Sequence, residues 1–264
     1  MSGMGWLSQV PFVAGILAAA LLAACASSAA GPTGVRATAT VTLGAIASNT
    51  SSPVPQATGS PRASETRSPA SGPIALPAPQ LKGTLTLEEA LARRRSVRNF
   101  YDTPLTLAEL GQLLWAAQGT THPSGLRTAP SAGALYPLEV YAVTREAVYH
   151  YEPPGHRMTV HRQGDVRPAL HAAALRQDSV LQAPAVIVIS AVYARTAQKY
   201  GEERTPRYVQ LEAGHAAQNV LLQATALELG AVPIGAFEDN QVKQALALPS
   251  EQQVLYLIPV GRPR

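Results

Sequence analysis

The chain has 264 residues, 46% of them hydrophobic, with 21 basic and 17 acidic side chains and one cysteine, enough for one ordinary domain or two small ones. The charges are unevenly spread, because residues 1–82 carry four basic groups against one acid and residues 83–264 carry 17 against 16. The pI of 9.4 therefore belongs to the N-terminal part and gives no basic stripe for nucleic acid, and a single cysteine excludes a disulfide framework.

Residues 10–24 are uncharged and apolar, too short to cross the roughly 30 Å hydrocarbon core comfortably as a helix and of the size of a signal h-region. They end in Leu22-Ala23-Ala24-Cys25, which resembles the lipobox of bacterial lipoproteins. Cys25 is thus the expected lipidation site, with residues 1–25 as signal peptide and the cell envelope as location. Residues 1–9 contain no Lys or Arg, a departure that leaves an uncleaved anchor as the alternative. Residues 26–82 are rich in Ser, Thr, Ala, Pro and Gly. Such a segment buries too little apolar area to offset its ordering entropy, so a disordered tether is expected.

The folded domain is expected over residues 83–264. Thr86-Leu87-Glu88-Glu89 and Thr106-Leu107-Ala108-Glu109 are capping boxes that predict two helices, the second with Leu110, Leu113, Leu114 and Ala117 inward and Gly119 as its stop. Residues 138–143 alternate as a half-buried strand, residues 147–151 read as its hairpin partner, and Pro153-Pro154-Gly155 ends the pair. A helix is predicted over residues 165–175 and a strand buried on both faces over 185–189. Residues 206–229 predict a long helix, apolar on more than one side and capped by Gly230, with sheet on one side and a partner subunit on the other. A helix at residues 240–248 and a strand at 254–260 complete an α+β fold.

Three stretches carry the chemistry. Arg94-Arg95-Ser96-Val97-Arg98 is an anion trap, since guanidinium forks suit phosphate oxygens and a hydroxyl adds one more short bond. In an extended chain Arg94, Ser96 and Arg98 share one face. Pro130-Ser131-Ala132-Gly133 exposes backbone that can approach a flat ligand closely; no Gly-x-Ser-x-Gly elbow surrounds Ser131, which excludes the serine-hydrolase reading. Pro233-Ile234-Gly235 again offers open backbone. The six histidines have no metal spacing, so no metal is expected.

In this order, the arginine cluster, the Pro-Ser-x-Gly loop, Glu212-Ala213-Gly214-His215-Ala216-Ala217-Gln218-Asn219 and the terminal Ile258-Pro259-Val260-Gly261-Arg262 resemble the FMN-dependent nitroreductase family over residues 83–264, and its SagB-type dehydrogenase branch in particular. The resemblance implies a mostly antiparallel sheet surrounded by helices in a homodimer. It assigns Arg94, Arg95, Ser96, Arg98 and Arg262 to the FMN phosphate and ribityl end, and Pro130, Ser131, Ala132 and Gly133 of the neighbouring subunit to one side of the flavin ring. Pro233, Ile234 and Gly235 are implied along its other side. Lys199 and Tyr200 match a pair that removes a proton during azoline oxidation in that branch; a solvated helix end is the alternative. The implied function is hydride transfer between bound flavin and a small molecule, a peptide or NAD(P)H. The rivals are a surface-tethered reductase of nitro or quinone compounds and a non-catalytic flavin-binding lipoprotein.

Overall fold

The computed structural model describes residues 72–264; Cys25, the signal and residues 26–71 lie outside them. Seven strands form one antiparallel sheet in the order β1-β4-β3-β2-β5-β7-β6. The strands are β1 (Ile74–Ala75), β2 (Leu138–Val143), β3 (Ala147–Glu152), β4 (Arg157–Gln163), β5 (Ala185–Val192), β6 (Gly230–Ala231) and β7 (Gln252–Gly261). β5 lies between β2 and β7 and is buried along nearly its whole length, as its unbroken apolar run predicts.

The helices are α1 (Leu87–Arg93), α2 (Leu107–Gln118), α3 (Arg167–Ala173), α4 (Asp178–Gln182), α5 (Tyr193–Tyr200), α6 (Thr205–Ala226) and α7 (Asp239–Leu246). Both capping boxes form: Thr86 and Thr106 each accept from the N3 backbone, and Glu89 and Glu109 bond back. The alternation of β2 divides the core, because side chains at successive strand positions face opposite ways. Val140 and Ala142 pack with Leu113, Leu114 and Val220 of α2 and α6. Tyr141 and Val143 pack with Leu170 and Leu246 of α3 and α7 on the other face.

Two expectations are corrected. The tether expected over residues 26–82 overlaps the domain: Ile74 and Ala75 pair with Met158 and Arg157, Leu76 is buried, and Gln80 exchanges hydrogen bonds with Gln112 at 2.8 and 3.1 Å. A few apolar side chains suffice here because the sheet edge is already present to receive them. Gly230, expected to cap α6, is instead the first residue of β6; the chain turns at Leu227 and at Glu228, whose φ is 58°.

Candidate functional site

Arg94 leaves α1 with extended backbone angles (φ −53°, ψ 125°), and the chain then runs along the free side of β6. Val97 N–H donates to Ala231 O at 3.0 Å and Ser96 forms a parallel bridge with Ala231. Further on, Phe100 bridges Pro263 and Tyr101 N–H donates to Arg262 O at 3.0 Å. Gly230 permits this approach, since a Cβ there would lie 2.7 Å from Val97 Cβ. Ser96 and Arg98 are exposed and Arg94 is half-buried, and neither Arg94 nor Arg98 forms an ion pair among the described residues. Arg95 behaves differently. Its guanidinium folds back to the Ala92 and Arg94 carbonyls, both at 2.8 Å, and so caps the last turn of α1.

Arg262 follows β7 directly. One of its guanidinium nitrogens, Nη2, meets Glu109 at 2.9 Å, while Nη1 is buried with no hydrogen-bond partner among the described residues, an arrangement that leaves a donor for an anion. On the same edge Ile234 exchanges backbone hydrogen bonds with Leu257 at 2.8 and 3.0 Å. Pro233 has no N–H to give. Gly235 comes next, with nothing within 4 Å of where a Cβ would stand, and among the described residues no protein acceptor takes its N–H. The two sequence stretches and Arg262 are thus gathered on one edge of the sheet.

The Pro130–Gly133 stretch is gathered with a different set. Pro130 and Ser131 lead into a single 3-10 turn, Ala132–Ala134, in which Gly133 has φ +63°. A Cβ at Gly133 would stand 2.9 Å from Lys199 Nζ and 3.0 Å from Tyr200 Oη. Lys199 and Tyr200 therefore close over this turn from the last turn of α5. That helix is fixed at its other end by Arg195, which donates to Tyr136 O at 3.2 Å and pairs with Glu139. Burial pushes the Glu139 carboxyl up, but hydrogen bonds from His150 (2.6 Å) and Arg195 outweigh it and hold the group below the usual carboxylate range. Tyr200 also packs on Tyr208 of α6, ring centroids 4.7 Å apart.

Beneath the turn lies a residue to which the sequence reading attaches no role. Glu212 of α6 is 3% exposed; burial pushes its carboxyl up to about 7, against the opposing effect of the neighbouring Ser131 and Gln118 side chains and of the Arg127 charge. Gln118 Nε2 donates to Glu212 Oε1 at 3.3 Å, and Arg127 donates to Gln118 Oε1 at 3.1 Å while lying 4.4 Å over the Tyr136 ring. The Ser131 hydroxyl also accepts from Tyr136 N–H at 2.9 Å. The signal for Glu212 was a carboxylate on an apolar stripe: Val209, Glu212, Ala213, Ala216 and Val220 share the buried side of α6.

The sequence profile of the nitroreductase family matches residues 91–262. A candidate nitroreductase of Methanocaldococcus jannaschii is 46% identical over 184 residues, 67% of this chain and 91% of that one. The crystal structure of a candidate nitroreductase from Ralstonia eutropha JMP134 superposes with a TM-score of 0.67 at 30% identity, covering 73% of this chain and 90% of that one. A chain of the E. coli microcin synthetase McbBCD complex, with truncated pro-MccB17 bound, shares the fold with a TM-score of 0.57 at 22% identity, covering 71% and 77%.

Proposed function

The chain belongs to the nitroreductase family and is a flavin-dependent oxidoreductase; on that premise we propose that its flavin is FMN, held by Arg94, Ser96, Arg98 and Arg262 at the phosphate. The single observation that carries this reading is the gathering of those donors, including the buried unpartnered Nη1 of Arg262, beside the open backbone of Gly235. A phosphate supplies the acceptors those guanidinium groups lack, and a backbone N–H gives a non-titrating donor at the ring edge. Arg95 contributes to the end of α1 and not to the clamp. Bound FMN supplies a reversible two-electron, hydride-accepting centre.

We infer a homodimer in which residues 130–133, with Lys199 and Tyr200, face the partner's flavin. Leu87 and Leu91 of α1 and Leu211 of α6 stand 61%, 53% and 54% exposed, and apolar side chains grouped on two neighbouring helices support a covered surface. In this arrangement each site is built from both chains, the clamp from one and the proton-handling pair from the other.

Within the family the SagB-type dehydrogenase reading draws its support from the packing of Lys199 Nζ and Tyr200 Oη against Gly133. Lys199 would take the proton from the atom adjacent to a substrate carbon whose hydride FMN would accept, and Tyr200 would orient that proton, so that proton and hydride together leave a double bond. A reductase of nitro or quinone compounds fed by NAD(P)H is the second reading, favoured by the resemblance to nitroreductases and by the proposed Cys25 anchorage at the cell envelope, away from cytosolic peptide substrates. Steady-state kinetics of Lys199→Ala and Tyr200→Phe separate the two. The dehydrogenase reading expects kcat to fall about 10²-fold or more with flavin content unchanged, and unchanged kcat leaves the reductase reading.

A further inference from the structure

Beyond the end of β6 the chain stays in register with β7. Ala231 lies opposite Val260, Val232 N–H donates to Pro259 O at 3.2 Å, and Ile234 lies opposite Leu257. In such a ladder the backbone groups of successive residues point to alternate sides. Val232 and Ile234 therefore face β7, while Ala231 faces outward and its carbonyl takes the Val97 N–H. Peptide planarity extends the count by one residue. Ile234 O accepts from Leu257 N–H at 3.0 Å, and in a trans peptide the following N–H points the opposite way, so Gly235 N–H is aimed off the sheet edge. Two things threaten that aim: Ile234–Leu257 is the last rung of the ladder, where fraying starts, and a glycine has no Cβ to limit its dihedrals.

The hold comes from the corner between α3 and α4. There Leu175 and Arg176 both take left-handed angles, φ 54° and 56°, a strained conformation for residues that carry a Cβ. The corner delivers Gln177 to the N-cap position of α4, yet its side chain makes no capping hydrogen bond. Its amide is spent elsewhere: Nε2 donates to Ala174 O at 3.1 Å and to Ala236 O at 2.9 Å. Glu238 N–H donates to Ala173 O at 2.9 Å, and Phe237 packs against the core that holds Leu170 and Leu246. Gly235 thus lies between a rung fixed by β7 and a carbonyl fixed by Gln177. We propose that Gln177 is a positioning residue which, by holding the Ala236 carbonyl, keeps the Gly235 N–H aimed at the flavin ring. The proposal rests on the reading that residues 233–235 border the flavin. A donor at the ring edge bonds more strongly once an accepted hydride has added negative charge there, so the aim of this N–H bears on the reduction potential.

Two measurements on the full chain test this in the wild type, Q177A and Q177E: amide hydrogen exchange without FMN, and the two-electron reduction potential with FMN bound. Glutamate keeps the size of glutamine but, ionised, can only accept, so both variants lose the donor. Exchange at the Ile234 and Leu257 amides is expected to rise about tenfold in both, with Ile187 and Ile189 of β5 unchanged. The potential is expected to fall by about 30 mV, a tenfold change in a two-electron equilibrium. Unchanged exchange at Ile234 and Leu257 overturns the proposal, as does a rise shared equally by β5, which marks a general loss of stability. An unchanged potential in variants whose ladder end has loosened overturns it too. A wild-type chain that takes up no FMN overturns the flavin reading and this proposal with it; the exchange result, which needs no flavin, tells that failure apart from a Gln177 that holds nothing.

Discussion

Gly133 combines a φ of +63° with a Cβ position 2.9 Å from Lys199 Nζ and 3.0 Å from Tyr200 Oη. Gly133→Ala must therefore strain the turn by about 1 kcal/mol and also displace the lysine and tyrosine. The expected outcome is a fall in kcat of about tenfold or more, because misplacement of reacting groups by about 1 Å is costly, with a fall in melting temperature of only about 2–4 °C. Rapid kinetics alongside thermal melts check it. The adjacency of Lys199 and Tyr200, and through the family resemblance a proton-handling role, were legible in the sequence; the turn they face was not, because it lies far upstream in the chain. For Glu212 the stability argument has a definite sign. Its folded-state pKa is raised from 4.5 to about 7, so the folded protein holds this proton more tightly than the unfolded chain. The associated stability is present below about pH 4.5 and is lost as pH rises through 7, by about 3 kcal/mol in all. Urea unfolding at pH 5 and pH 8.5 is expected to show wild type losing about that much more than E212Q; parallel losses would show that Glu212 is ionised in the fold throughout.

At the scale of elements, the clamp depends on a strand-like segment whose extended form the sequence allowed but whose partner, β6, it did not reveal. Capping boxes and apolar periodicity made α1, α2 and α6 legible, and the continuous apolar run did the same for β5. β4 was not legible, because Met158 is the one buried side chain along Arg157–Gln163 and the strand pairs at its edges with little apolar signal. The pairing of Ser96 with Ala231 was hidden for another reason: it is made by backbone, and backbone bonds leave no residue signature. Gly230 marks it indirectly. Gly230→Ala puts a methyl 2.7 Å from Val97 and is expected to push residues 94–98 off the sheet edge, lowering FMN affinity at least tenfold while far-UV circular dichroism stays that of the wild type. Wild-type affinity in that variant would mean that the arginines do not depend on this edge. Arg95 shows the same limit of sequence reading. Three arginines in a row read alike, and only the emerging backbone turns Arg95 to the carbonyls of α1.

Across the whole molecule, the sheet order places the arginine edge at β6, beyond β7, while the turn of residues 130–133 leads into β2 and is closed by the helix that follows β5. In the proposed dimer one assembly is set against the partner's other assembly, so that each site draws on both chains. The near balance of 17 basic and 16 acidic groups over residues 83–264 fits a site that gathers positive charge locally around one phosphate. If this local charge holds FMN for redox chemistry, the visible absorption spectrum of the purified full chain will report it. Bound-flavin bands are expected after incubation with FMN and desalting, bleached by anaerobic NADPH and missing from the Arg94→Ala/Arg98→Ala double variant; a colourless wild-type chain, or a double variant that retains as much flavin, would show that this edge does not hold FMN.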